Sequence, residues 1–200
     1  MTYALLLLLV ALPSGAFGYW LCRRRCPGGA SAQPLPDDTL AGLPGQPALL
    51  EALTRSLSLA DRLQHPLTVL LVEIDGFARL QEEGLATEAQ SLVAGWLKQR
   101  VRAHDLLGHW APGQFLALLP DADVASALVL AEDMRQLVQR RGTALQQVEG
   151  PALTVSIGVH GRTPSPEQPL RDLAPDMVVG ALRALEATTG DGPNRIEIEP

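Results

Sequence analysis

Leu67-Thr-Val-Leu-Leu-Val-Glu-Ile-Asp75 is the stretch on which the fold of this chain turns. Leucines and valines run through it without polar alternation, which predicts a buried strand over Leu67–Ile74. Glu73 and Asp75 close it, two acids that strand alternation sets on the same face of the strand end. Upstream, Pro47–Arg62 carries Leu49, Leu50, Leu53 and Leu57 at helical spacing, and Pro47 suits a first turn. Downstream, Thr87–Ala103 predicts a helix with Leu92, Val93, Trp96, Leu97 and Val101 on one face. Leu106–Trp110 and Gln114–Leu119 read as a hairpin joined at Pro112-Gly113, a type II turn signal. A helix over Val124–Arg140, a strand over Leu153–Val159, a helix over Met177–Ala187 and an edge strand over Arg195–Glu199 complete the pattern. Strands and helices interleave while two strands form a hairpin, so the sheet is mixed and the class is α/β (α+β).

Composition sets the limits of function. The 200 residues are 46% hydrophobic and 19% charged, enough for a packed core, which excludes wholesale disorder. Aromatics are only 4%, too few for base-stacking platforms. Sixteen basic and 22 acidic residues give a net charge of −6. No acid precedes Asp37, whereas Arg23, Arg24 and Arg25 do, so the remainder is more acidic still and nucleic acid is excluded as a partner. Cys22 and Cys26 supply neither a disulfide framework nor a four-ligand zinc site, and His65, His104, His109 and His160 show no metal spacing.

Thr2 to Cys22 carries no charge, and as a helix it spans about 31 Å, enough for a bilayer core. Tyr19 and Trp20 sit at an interfacial position before Arg23–Arg25, a cluster that stays on the cytoplasmic side. The expectation is one transmembrane anchor over 1–22, a basic juxtamembrane segment and Pro/Gly-rich linker over 23–36, and a cytoplasmic domain over 37–200. A cleaved signal peptide, with Leu5–Leu12 as its apolar region, is the competing reading. Charge placed after the apolar run rather than before it favours the anchor, in a bacterial inner membrane. Ser14 and Gly18 are spaced for two such helices to pack as a homodimer.

Local phrases add a family resemblance. Asp38-Thr-Leu-Ala-Gly-Leu-Pro-Gly-Gln46 looks like D-x-L-T-G-L-P-N-R, and Leu70-Leu-Val-Glu-Ile-Asp-Gly-Phe77 like L-L-x-D-I-D-x-F. Val93-Ala94, Leu97, Val101-Arg102 and Asp105 follow V-A-x-x-L-x-x-x-L-R-x-x-D. Phe115–Pro120, Ala131-Glu132 with Arg135, Leu153–Val159 and Gly192–Ile196 continue the series in order. Together they resemble the GGDEF domain of diguanylate cyclases over Asp38 to about Ile198. The resemblance implies a five-stranded sheet wrapped by helices, like the palm of nucleotide cyclases.

The same resemblance locates the departures. The signature turn falls on Ala111-Pro112-Gly113-Gln114-Phe115, with Gly113 and Gln114 where the family has acids. Glu73 and Asp75 match the family's metal-side pair but stand there as half a site, so no metal and no catalytic residue is expected. Gln81, Ala86-Thr87, Thr189 and Pro193 fall on the family's guanine- and phosphate-contacting positions. A cyclase joining two GTP needs a carboxylate-held metal, so the expectation is a chain that is not an enzyme. Arg102-Ala-His-Asp105 is an R-x-x-D at the spacing of the family's inhibitory site, making cyclic di-GMP its candidate ligand and otherwise leaving no cofactor. Helical i, i+3 spacing puts Arg102 and Asp105 on one face, with Arg79 or Arg135 as candidate second arginines. Two roles stay open: a regulatory, protein-interacting module of an inner-membrane complex linked to cyclic di-GMP signalling, for example in exopolysaccharide export and biofilm formation, or a cyclic di-GMP receptor through Arg102 and Asp105.

Overall fold

The computed structural model describes residues 40–145, 152–165, 170–188 and 192–199. The expected anchor over 1–22 and linker over 23–36 lie outside these residues. No helix among the described residues is long and apolar enough to cross a membrane.

A 3₁₀ turn at Leu40–Gly42 leads into α1 (Gln46–Leu63) and then β1 (Leu67–Ile74). Two helices follow, α2 (Phe77–Glu82) and α3 (Ala86–Lys98), before the hairpin of β2 (Leu106–Ala111) and β3 (Gln114–Pro120). Then come α4 (Val124–Leu145), β4 (Val155–Arg162), α5 (Leu170–Thr188) and β5 (Ile196–Glu199). The five strands form one sheet in the order β2-β3-β1-β4-β5. β1 lies antiparallel to both neighbours, and only β4–β5 is parallel, so the sheet is mixed as expected.

β1 sits at the centre because both of its faces are apolar. Leu70, Val72 and Ile74 join Phe115, Ala117, Leu119, Ile157 and Val159 under α3 and α4. Leu67, Val69 and Leu71 join Leu116, Leu118, Met177 and Ala181 under α1 and α5. An uninterrupted apolar run is what a strand covered on both faces requires. Thr68, fully buried within it, donates its Oγ1 proton to the Ala122 carbonyl at 2.7 Å, so the core holds no orphan hydroxyl there.

Several boundaries differ from expectation. α2 leaves no period in the sequence, being six residues long with no buried side chain. α3 stops at Lys98, not Ala103, so Arg102 and Asp105 lie in a turn beyond it. α5 begins at Leu170 rather than Met177 and runs through Pro175. A proline early in a helix removes one N–H donor, and burial of Leu173, Ala174, Met177 and Val178 offsets that loss. At Pro112-Gly113 the turn is as read, with Gly113 at φ 76°.

Gly158 on β4 lets α5 pack backbone against sheet. A Cβ there would meet the Ala181 carbonyl oxygen and come within 2.6 Å of Leu185 N. Gly158→Ala is therefore expected to lower unfolding free energy by about 3 kcal/mol, read as a reduced urea midpoint at unchanged slope.

Candidate functional site

Two places bring the sequence candidates together. The first is the end of β1. Register sets Glu73 opposite Gln114 on β3 and opposite Ser156 on β4. Gln114 Nε2 donates to Glu73 Oε2. The Gly113 N–H donates to Gln90 Oε1 on α3, and the Ile74 N–H donates to the Gly113 carbonyl at 2.9 Å. The signature turn is thus tied to β1 and to α3 at once. Sequence reading missed Gln90, because no local pattern links a helix glutamine to a turn 23 residues later.

Asp75, just past the strand end, is bound on the β4 side. Its carboxylate accepts from Thr154 Oγ1 at 2.6 Å, Ser156 Oγ at 2.7 Å and the Asn194 N–H at 2.9 Å. The Arg195 N–H reaches Ser156 Oγ at 3.4 Å. Asp75 therefore joins β1, β4 and the loop entering β5 through charge-assisted hydrogen bonds. None of these partners is linked to Asp75 by the sequence, since they lie at separations of 79 to 119 residues.

As arranged, these residues do not fit a divalent cation. The cation takes about six hard oxygens, whereas Asp75 is engaged by three donors and Glu73 by Gln114. Position 113 has no room for an added acid, because a Cβ on Gly113 would lie 2.5 Å from Phe77 Cγ. Among the described residues no three His, Cys, Asp or Glu side chains converge. Gln81 and Thr87 are exposed on α2 and α3, Ala86 is half-buried, and Pro193 is exposed in the loop before β5. Thr189 lies outside the described residues.

The second place is a cleft of about 280 Å³ beside β3 and the start of α4, lined by Arg100, Arg102, Asp105, Pro120 and Val129 among others. Arg102 and Asp105 do share it, but through a turn and not a helix face. The Asp105 N–H donates to the Arg102 carbonyl at 3.1 Å, and Asp105 Oδ2 accepts from the Arg102 N–H at 2.7 Å. That reciprocal pair closes a turn over Ala103 and His104, and the Asp105 side chain is 4% exposed. Arg102 itself is exposed, and its guanidinium pairs with no carboxylate among the described residues. Arg100, missed from sequence, is the second arginine of the cleft, and its Nε lies 3.2 Å from Asp133 Oδ2. The two arginines favoured from sequence lie elsewhere. Arg79 bonds Glu83 at 2.7 Å, and Arg135 grips Glu132 through Nε and Nη2 at 2.8 and 2.7 Å.

These contacts make two predictions. Asp75→Ala strips three tethers and should lower stability by about 2–4 kcal/mol, whereas Glu73→Gln at the same strand end should change it by less than about 1 kcal/mol, both by urea unfolding. The Arg135 guanidinium beside Glu132 holds that carboxyl at about 2, below its usual 4.5. A depressed folded value means the pair stabilises above pH 4.5 and fades as pH falls toward 2. With Glu132 43% exposed, the effect should stay under about 1 kcal/mol, seen as a wild-type advantage over Glu132→Gln at pH 7 that vanishes near pH 2.

The family model described as "Diguanylate cyclase, GGDEF domain" matches residues 37–177. The diguanylate cyclase DgcP of Pseudomonas aeruginosa is 27% identical over 104 residues, covering 50% of this chain and 16% of that protein's length. Diguanylate cyclase SiaD of Pseudomonas aeruginosa, solved in complex with its activator SiaC, superposes with a TM-score of 0.69 at 22% identity, over 80% of this chain and 60% of that one. The GGDEF domain of DgcB from Caulobacter crescentus, in complex with c-di-GMP, gives 0.68 at 18% identity, over 82% and 98%. The expectation of a chain that is not an enzyme is corrected by these matches, which point to a cyclase family. Its error was physical. Ala111-Pro112-Gly113-Gln114 changes single side chains, while the family is carried by the scaffold. The chain belongs to the diguanylate cyclase GGDEF-domain family.

Proposed function

We propose that this chain is a regulatory, protein-interacting GGDEF module of cyclic di-GMP signalling that takes the cyclic dinucleotide at the Arg102/Asp105 cleft. The single observation that carries the reading is the exposed Arg102 guanidinium beside a turn-fixed Asp105 in one cleft with Arg100. An arginine fork pairs bidentately with a guanine Hoogsteen edge, and a carboxylate accepts guanine N–H groups. Arg100 adds charge for the ligand phosphates once it parts from the half-exposed Asp133. The complex of Caulobacter DgcB with c-di-GMP supports this ligand class, and that of SiaD with its activator supports a protein partner. Anchoring by Thr2–Cys22 in the bacterial inner membrane, with the domain on the cytoplasmic side, belongs to the same proposal and rests on the uncharged run and Arg23–Arg25.

Calorimetry of the detergent-solubilised chain with cyclic di-GMP tests the reading. We expect micromolar binding that weakens at least about tenfold, or about 1.4 kcal/mol, in Arg102→Ala and in Asp105→Ala. No heat at about 100 μM ligand, or binding indifferent to both substitutions, overturns it.

A further inference from the structure

The α5-facing side of β4 carries Ser156, Gly158 and His160 in alternation. Ser156 belongs to the Asp75 network, and Gly158 admits the helix backbone. His160 serves neither. It is 8% exposed, and its Nδ1 is buried without a hydrogen-bond partner. The parallel register sets it opposite Glu199, whose Oε2 is likewise buried and unpartnered, 3.8 Å from that nitrogen. The other carboxylate oxygen, Oε1, accepts from Arg183 Nη1 at 2.9 Å. Gly180 of α5 roofs the pair, since a Cβ there would lie 2.5 Å from His160 Cγ and 2.7 Å from Glu199 Oε2.

A separation of 3.8 Å is beyond hydrogen-bond reach, and two buried polar atoms facing each other unsatisfied are costly. One proton resolves both, because an imidazolium donates from either nitrogen and the acceptor is a carboxylate. Charged groups come from the elements packed here. β5 contributes Glu197 and Glu199 on this face, and α5 contributes Arg183 with Asp176 and Glu186 acting on it. β4 contributes Arg162, which has a partner of its own, and β1 presents only Val69 in register.

We propose that His160 is a proton-operated latch on β5, closing onto Glu199 when charged and releasing it when neutral. Without the latch, β5 is held by a four-residue ladder and by an exposed Arg183. Its far end is the loop whose Asn194 N–H binds Asp75, so the latch sets how firmly that loop is tied to the β1 end. The latch closes as the solution is acidified and opens as it is made basic.

Amide hydrogen exchange of Ile196–Glu199 in the full chain, corrected for intrinsic rates, tests the latch. From about pH 8 to about pH 5.5 we expect protection in wild type to rise about tenfold, and the rise to disappear in His160→Gln and in Glu199→Gln. Equal or weaker protection at the lower pH, or a rise that survives either substitution, overturns the proposal. Should His160→Gln fail to fold, the wild-type imidazole followed by NMR decides, since a ring still neutral at about pH 5.5 overturns it as well.

Discussion

Burial of β1 on both faces is the constraint from which the rest of this structure descends. A strand with Leu67, Val69 and Leu71 on one side and Leu70, Val72 and Ile74 on the other cannot lie at an edge or face water. It takes the centre of the sheet, with the hairpin on one flank and β4 on the other, and it calls for helices over both faces. That central place sets where the two acids emerge. Glu73 and Asp75 stand where the apolar run gives out, and each meets the polar groups that its neighbours in register happen to present.

What those acids do follows from their surroundings. A carboxylate that receives Thr154, Ser156 and the Asn194 amide is a fastening between β1, β4 and the last strand. A carboxylate that meets Gln114 fastens the hairpin. Neither contact leaves a cation cage. The same strand end in a GGDEF family member therefore acts here as a junction of three elements. Membership of a cyclase family and the contacts of one turn are separate matters, since the first is carried by the scaffold and the second by a few rotamers.

The cleft at Arg102 and Asp105 illustrates how a correct residue pair can be reached by the wrong local geometry. Spacing of three suits a helix face and a turn equally. The helix period over Leu92 to Val101 continues past the point where α3 stops, so periodicity gave no sign of the end. Asp105 capping the Arg102 amide is the reason the chain turns there. Arg100, by contrast, was invisible because its relation to the cleft depends on Asp133 of α4, a residue brought near only by packing.

Local chemistry alone determined the strand order in the chain, the hairpin turn at Gly113, the mixed sheet and the family phrases, because each rests on residues a few positions apart. Tertiary structure alone decided the Gln90 tie to the signature turn, the three donors on Asp75, the start of α5 ahead of Pro175 and the buried meeting of His160 with Glu199. The reason is distance along the chain. A side chain's partner is written in the sequence only when both lie within one element, and every one of these contacts except the helix start joins elements that the sheet around β1 and its covering helices bring together.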